Sequence, residues 1–363
     1  YNRTFLQLEE QESMSSSSMA PPARPPPPPS GAPPPMRKAS SSLDLSQLPS
    51  VKDGSCKTTA EELLKRRKTC RFIEEAGRQL KLPQVCKATA MVLFHRFYAK
   101  HSFAQHDRFE VAVACLLLAA KTEESPRKLN VVLQECYRLK HQGRNTAGSA
   151  IGGKSPLHGN VAGMLSASSS PSHGLVPPLD PKGEEFVKLK ERILLLERVI
   201  LHTIGFELSI DHPYKFLVDL VKRLGRQLEH VPKLGAPIPL SGKLTNELVQ
   251  YAMNFANDSM HTTLCLQYPA RIVAMGCVYL SGQYCKIRPQ SGKSWLEALG
   301  DITVEDLTSV SLQIMELVAE KRGPSADPKT DPFAKVKADL ELMRQAKRSG
   351  STTVPSPKRP RIN

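Results

Sequence analysis

Apolar residues recur at helical spacing over most of residues 58–322, and no stretch shows convincing strand alternation. Phe186, Leu189, Ile193, Leu196, Ile200 and Ile204 step by threes and fours, which predicts an amphipathic helix over about 186–204. Residues 111–120 contain no charge or strong polar group. A helix that is apolar all round must be enclosed by others, so the helix over about 108–121 is expected at the centre of its bundle. Thr59 and Glu62 fit a capping box opening a helix to about residue 80. Pro83 suits the first turn of the next helix, through Met91, Phe94 and Tyr98, and another spans about 127–140. Helices over about 212–224, 243–260, 269–285 and 304–321, with a short one near Trp295, complete the second half. Cys-Leu-Leu-Leu-Ala-Ala-Lys at 115–121 aligns with Cys-Val-Tyr-Leu-Ser-Gly-Gln at 277–283, each in the least charged helix of its half. The expected fold is all-α, built from two copies of a five-helix unit.

Three segments interrupt this pattern. Residues 1–57 are rich in Ser and Pro, 141–184 in Gly, Ser and Pro, and 323–363 are polar and basic, so all three read as disordered. The expected organisation is a tail (1–57), a first unit (58–208) carrying the insertion 141–184, a second unit (209–322) and a basic tail (323–363). The polyproline run 25–29 favours a stiff spacer, with a ligand for SH3-type or WW-type domains as the other reading.

Fifty Lys and Arg against 35 Asp and Glu leave a net charge of +15, held mainly by the first unit and the C-terminal tail. Lys-Arg-Arg-Lys at 65–68 reads as a solvated helix face, whereas Lys358, Arg359 and Arg361 form a candidate nuclear-import cluster. Nonspecific RNA or DNA contact follows electrostatically, but no aromatics interleave with the basic residues to stack bases. Ser155, Ser170 and Ser356 each precede Pro and are candidate phosphorylation sites. Eight cysteines never form Cys-x-x-Cys and sit mostly in apolar helical patterns, which points to a reducing compartment and to no zinc ribbon or disulfide framework. No run of 18 apolar residues predicts a membrane span, and no secretory signal is expected near Tyr1.

Gly-rich phosphate loops, Gly-x-Ser-x-Gly and His-Glu-x-x-His are all missing, so neither an enzyme nor a cofactor or metal site is expected. His95, on an otherwise apolar face, reads as structural. Lys121 follows the most apolar run of the first unit, and Glu197 lies at the edge of the 186–204 stripe. Charges in such places are either solvated at a helix end or paired across an interface. Glu123 and Glu124 oppose the dipole of the helix they follow, which hints at a partner there.

Several stretches together resemble the cyclins, and among them the transcriptional T and K types. They are Phe-His-Arg-Phe-Tyr-Ala-Lys-His-Ser-Phe at 94–103, Ala-Ala-Lys-Thr-Glu-Glu-Ser-Pro at 119–126 and Leu-Glu-Arg-Val-Ile-Leu-His-Thr-Ile-Gly-Phe-Glu-Leu at 196–208. Asp-His-Pro-Tyr at 211–214, Asn-Asp-Ser-Met-His-Thr-Thr-Leu-Cys-Leu-Gln at 257–267 and Ser-Trp-Leu-Glu at 294–297 extend the match. The resemblance implies two cyclin boxes and a regulatory subunit that activates a cyclin-dependent kinase acting on the RNA polymerase II C-terminal domain. It implies nuclear residence as well. Lys121 resembles the box lysine that bonds kinase carbonyls, Glu197 its acidic counterpart and Glu124 an added polar contact, with Leu201, Phe206 and Leu208 as an apolar wall. Gln283 stands where the first copy has Lys121, so only the first box is expected to grip the kinase. The insertion 141–184 is longer than the family's usual loop, which is tolerable because closure cost grows slowly with length. The alternatives are an L-type cyclin, whose serine/arginine-rich tail is missing, and a general-transcription-factor-like scaffold on DNA and polymerase, whose zinc ribbon is missing.

Overall fold

A computed structural model describes residues 44–147, 179–232, 236–290, 292–322 and 333–348. The first half holds α1 (Pro49–Lys52), α2 (Thr59–Gln79), α3 (Gln84–Tyr98), α4 (Arg108–Thr122), α5 (Leu129–Ala147) and α6 (Glu184–Thr203). The second holds α7 (Pro213–Leu224), α8 (Gly242–Ser259), α9 (Leu264–Gln267), α10 (Ala270–Tyr284), α11 (Trp295–Leu299), α12 (Val304–Arg322) and α13 (Ala334–Arg348). Leaving aside short α1 and α9 and the terminal α13, each half is a five-helix unit.

Each half has its own apolar core. Helix α4 is buried from Val111 to Ala120 and packs on α2, α3, α5 and α6. Helix α10 holds the same place among α7, α8 and α12, buried from Ile272 to Gly282. Local signals set the helix starts. Asp107 Oδ1 accepts from the Phe109 and Glu110 amides (3.0 Å each) to open α4, and Pro213 sits in the first turn of α7. A Ser294/Glu297 capping box opens α11, whose Trp295 packs edge-on against Tyr279.

The structure departs from the sequence reading in several places. The α2 cap is one residue earlier: Thr58 Oγ1 accepts from the Glu61 amide, while Glu61 accepts from the Lys57 amide. Pro83 stands at the N-cap of α3, just outside its first turn. Arg66, expected on a solvated face, is fully buried because it reaches inward to cap the end of α3, and Glu62, expected in the capping box, is buried beside it. A three-stranded antiparallel sheet, β2–β1–β3, forms from Leu228–His230, Ile238–Pro239 and Ile287–Pro289; strands of two or three residues are too short to show alternation. Part of the expected N-terminal tail is structured, with Leu48, Ser50 and Cys56 buried against the first half. Helices α5 and α6 both reach into the expected insertion. Part of the expected C-terminal tail is α13, which buries Val336 and Leu340 together with the preceding Phe333 in the second core. The polyproline run 25–29, Ser155, Ser170, Ser356, Lys358, Arg359 and Arg361 lie outside the described residues.

Candidate partner-binding face and its supports

The C-terminal end of α4 and the middle of α6 bring Lys121 and Glu197 together. Lys121 Nζ donates to Glu197 Oε1 at 2.6 Å. The lysine side chain is 43% exposed and the glutamate side chain 9%, so the pair spans from core edge to solvent. One of three ammonium donors is used in this bond, which leaves the lysine able to reach carbonyls on a partner.

Beyond Lys121, the Glu123 amide bonds the Ala119 carbonyl and the Ser125 amide the Ala120 carbonyl (both 2.9 Å), closing the helix through Glu124 at a left-handed φ of 53°. That places the Glu124 side chain in solvent. Glu123 is tied back: Thr89 donates to its Oε1 at 2.7 Å and bonds His212 Nε2 at 2.8 Å. Since the Thr89 proton goes to the carboxylate, His212 Nε2–H is the donor to Thr89.

At the end of α6, Gly205 and Phe206 are both left-handed, with φ of 64° and 59°. The Phe206 amide bonds the Leu201 carbonyl at 2.9 Å, and its ring stands 59% exposed, edge-on to His202. A bulky residue in this conformation costs about 1 kcal/mol or more. Of the three residues expected as an apolar wall, only Phe206 faces solvent. Leu201 is buried, and Leu208 is half-buried against the first core. The exposed apolar surface of α6 comes instead from Val187 (44%), Leu194 (39%) and Leu195 (53%). Leu194 and Leu195 fall off the helical stripe within the run Leu-Leu-Leu at 194–196, a signal the sequence carried.

A separate polar network joins the two halves. Arg66 donates to Glu62 Oε1 (2.7 Å), the His95 carbonyl (3.0 Å) and the Tyr98 carbonyl (2.8 Å), tying α2 to the end of α3. Arg66 can only donate, so His95 Nδ1, 3.3 Å away, is an acceptor, and Nε2–H donates to the Met260 carbonyl (3.1 Å) beyond α8. Burial, and next the Arg66 charge, hold the His95 pKa down at about 3, so the ring is neutral. Burial likewise pushes the Glu62 carboxyl up, against the pull of Arg66. Asn257 Oδ1 accepts from Gln84 (2.9 Å) and Tyr214 (2.8 Å), and His261 meets Glu74 at 3.1 Å. Residues of the stretches 211–214 and 257–267 thus join the halves.

A cleft of about 240 Å³ opens among α2, α4, α5 and α6, lined by residues that include Phe72, Phe109, Glu110, Cys136, Tyr137 and Arg192. It is poorly equipped for chemistry. Arg192 holds Glu110 through both carboxylate oxygens, and burial pushes the Cys136 thiol up to about 12. All eight cysteines are free. Among the described residues no cluster could hold a metal ion, and no helix is long and apolar enough to cross a membrane.

Two family descriptions match the chain: "Cyclin, N-terminal domain" over residues 38–154 and "Cyclin-T2-like, C-terminal domain" over 241–317. Rice Cyclin-T1-3 (Oryza sativa subsp. japonica) is 34% identical over 71% of this chain and 43% of its own length. Human Cyclin-K is 31% identical over 76% of this chain and 40% of its own. The chain therefore spans about two-fifths of the length of these relatives. A chain in the crystal structure of the yeast RNA Pol II CTD kinase CTDK-1 complex has the same fold, with a TM-score of 0.52 at 15% identity over 83% of this chain and 81% of that one. With two family matches in chain order and relatives above 30% identity, the chain belongs to the cyclin family, among its T and K types.

Proposed function

We propose that this cyclin is a non-catalytic regulatory subunit that binds and activates a cyclin-dependent kinase through the face formed by α4 and α6. The carrying observation is the Lys121–Glu197 pair between α4 and α6, with Leu194 exposed one turn from Glu197 on α6 and Phe206 exposed just beyond the end of that helix. A charged donor and acceptor beside apolar surface, desolvated together by a partner, are the composition of a binding hot spot. Glu124 lies at the rim, and the left-handed Phe206 is an observed strain that a bound partner rationalises. Activation follows as a population shift: a cyclin that prefers the active kinase conformation moves the equilibrium by the difference in its two affinities.

The proposed kinase substrate is the RNA polymerase II C-terminal domain, in keeping with the T and K type and with the name of the yeast complex. Residues 58–208 and 209–322 are the two proposed boxes. The proposed location is the nucleus, with Lys358, Arg359 and Arg361 as import signal and Ser155, Ser170 and Ser356 as sites for the bound kinase.

Affinity capture of the tagged chain from nuclear extract, with mass spectrometry and a kinase assay on polymerase C-terminal repeats, tests the proposal. A stoichiometric cyclin-dependent kinase with that activity is the expected result. Recovery of polymerase and promoter DNA without a kinase would overturn it in favour of a scaffold.

A further inference from the structure

The second box contains a counterpart of the α4–α6 face, and that counterpart is covered. Helices α4 and α10 are both 15 residues long. Counted from their starts, Lys121 falls opposite Gln283 and Glu124 opposite Lys286; the latter two share a left-handed φ, 53° and 56°. The buried positions 193, 196, 197, 200 and 201 of α6 recur in α12 as 307, 310, 311, 314 and 315, so Glu197 falls opposite Ser311. The ion pair of the first box is thus replaced by two neutral side chains.

On the same register, exposed Leu194, Leu195 and Arg198 fall opposite Thr308, which is buried, and Ser309 and Leu312, which are half-buried. Part of that cover is α9, whose Gln267 exchanges bonds with Gln313 (2.9 and 3.1 Å), itself bonded to Ser309. Helix α13 also packs on α12. Phe333 meets Phe255 of α8 at 5.9 Å and Tyr284, next to Gln283, at 6.3 Å. Phe333, Val336 and Leu340 are buried, and Met343 packs against the same core. These residues are spaced as the anchors of a helix laid into a groove, i, i+3, i+7 and i+10. The ten residues leading into it, 323–332, include Gly323, Pro324, Pro328 and Pro332, which set α13 apart from α12 as a separate sequence unit.

We infer that this groove on the second box is a docking site for an amphipathic helix, and that α13 is its resident, tethered occupant. While α13 is seated, this groove is closed to a second partner. The inference rests on the packing of the second box and is independent of the kinase proposal.

The test uses a fluorescent synthetic peptide of residues 330–350 and two full-length chains, wild type and Phe333→Ala/Leu340→Asp. In the wild type the tethered copy competes at high effective concentration, so the peptide should bind the variant at least about tenfold more tightly. Hydrogen exchange on the unmodified chain gives a second reading, in which α13 amides should exchange by a local opening well ahead of those of α12. Equal binding to both chains, binding to neither, or a variant that loses its helical circular dichroism would overturn the inference. Exchange of α13 only together with α12 would do so too, since the helix would then be an inseparable part of the core.

Discussion

Where α10 has Gly276 and Gly282, α4 has Ala114 and Ala120. The second box needs the glycines: a Cβ at position 276 would lie 2.5 Å from Val310 Cγ1 of α12, and one at 282 would run into the Trp295 ring. Its third helix is approached more closely, and the α12 face around it is closed by neutral side chains and α13. The first box spaces its helices with alanines, places a lysine in the last turn of α4 and leaves Val187, Leu194 and Leu195 of α6 exposed. One plan, repeated, has produced a closed box beside an open one. The open box carries a second distinction, the fully buried Arg66–Glu62 pair that fastens α2 to α3.

The largest effect expected from breaking this arrangement is at Arg66. Arg66→Ala leaves Glu62 buried without its partner and frees two carbonyls at the end of α3, so it should cost about 3–5 kcal/mol in denaturant unfolding. Acid comes next. His95 has its folded pKa at about 3, below its ordinary value near 6.5, so the unfolded chain takes up a proton that the folded chain refuses. Stability should therefore fall as pH drops from about 6.5 towards 3, by up to about 1.4 kcal/mol per unit from this residue alone. Burial also holds His106 and His212 below the usual range, which adds to the same slope. Unfolding measured at stepped pH checks this, and His95→Gln should flatten the profile.

Making the second box resemble the first should be less damaging. Gly276→Ala forces α10 and α12 apart and should cost about 1–3 kcal/mol, read as a lower melting temperature. The smallest change is expected at Glu320, which pairs with Arg67 and Arg71 across the two halves near the surface. Glu320→Gln should cost under about 1 kcal/mol and lose that effect in high salt.

Much of this architecture was legible in the sequence because helix periodicity is local. The stripe from Phe186 to Ile204, the charge-free core of α4 and the repeat between 115–121 and 277–283 each needed only neighbouring residues. Lys121 and Glu197 were conspicuous for the same reason, as charges at the edges of apolar patterns. What stayed hidden depends on contacts distant in sequence. Glu62 looks like any acid in a first turn until Arg66 folds over it, and Asn257 gains its role only when Gln84 and Tyr214 arrive. Helix α13 was missed because its apolar residues are sparse among charges, and only the groove beneath Phe333 and Leu340 gives them a place to go.

The central claim, that the open face of the first box receives a kinase, is tested most directly by a matched pair of double variants. Lys121→Ala/Glu197→Ala removes both members of the ion pair and leaves no orphaned charge, whereas Gln283→Ala/Ser311→Ala makes the corresponding change in the closed box. Binding to the captured kinase, measured by calorimetry alongside circular dichroism, should weaken at least about 100-fold for the first and stay within about threefold for the second, with helical content unchanged in both. Equal loss from the two variants, or full affinity in the first, would contradict the account.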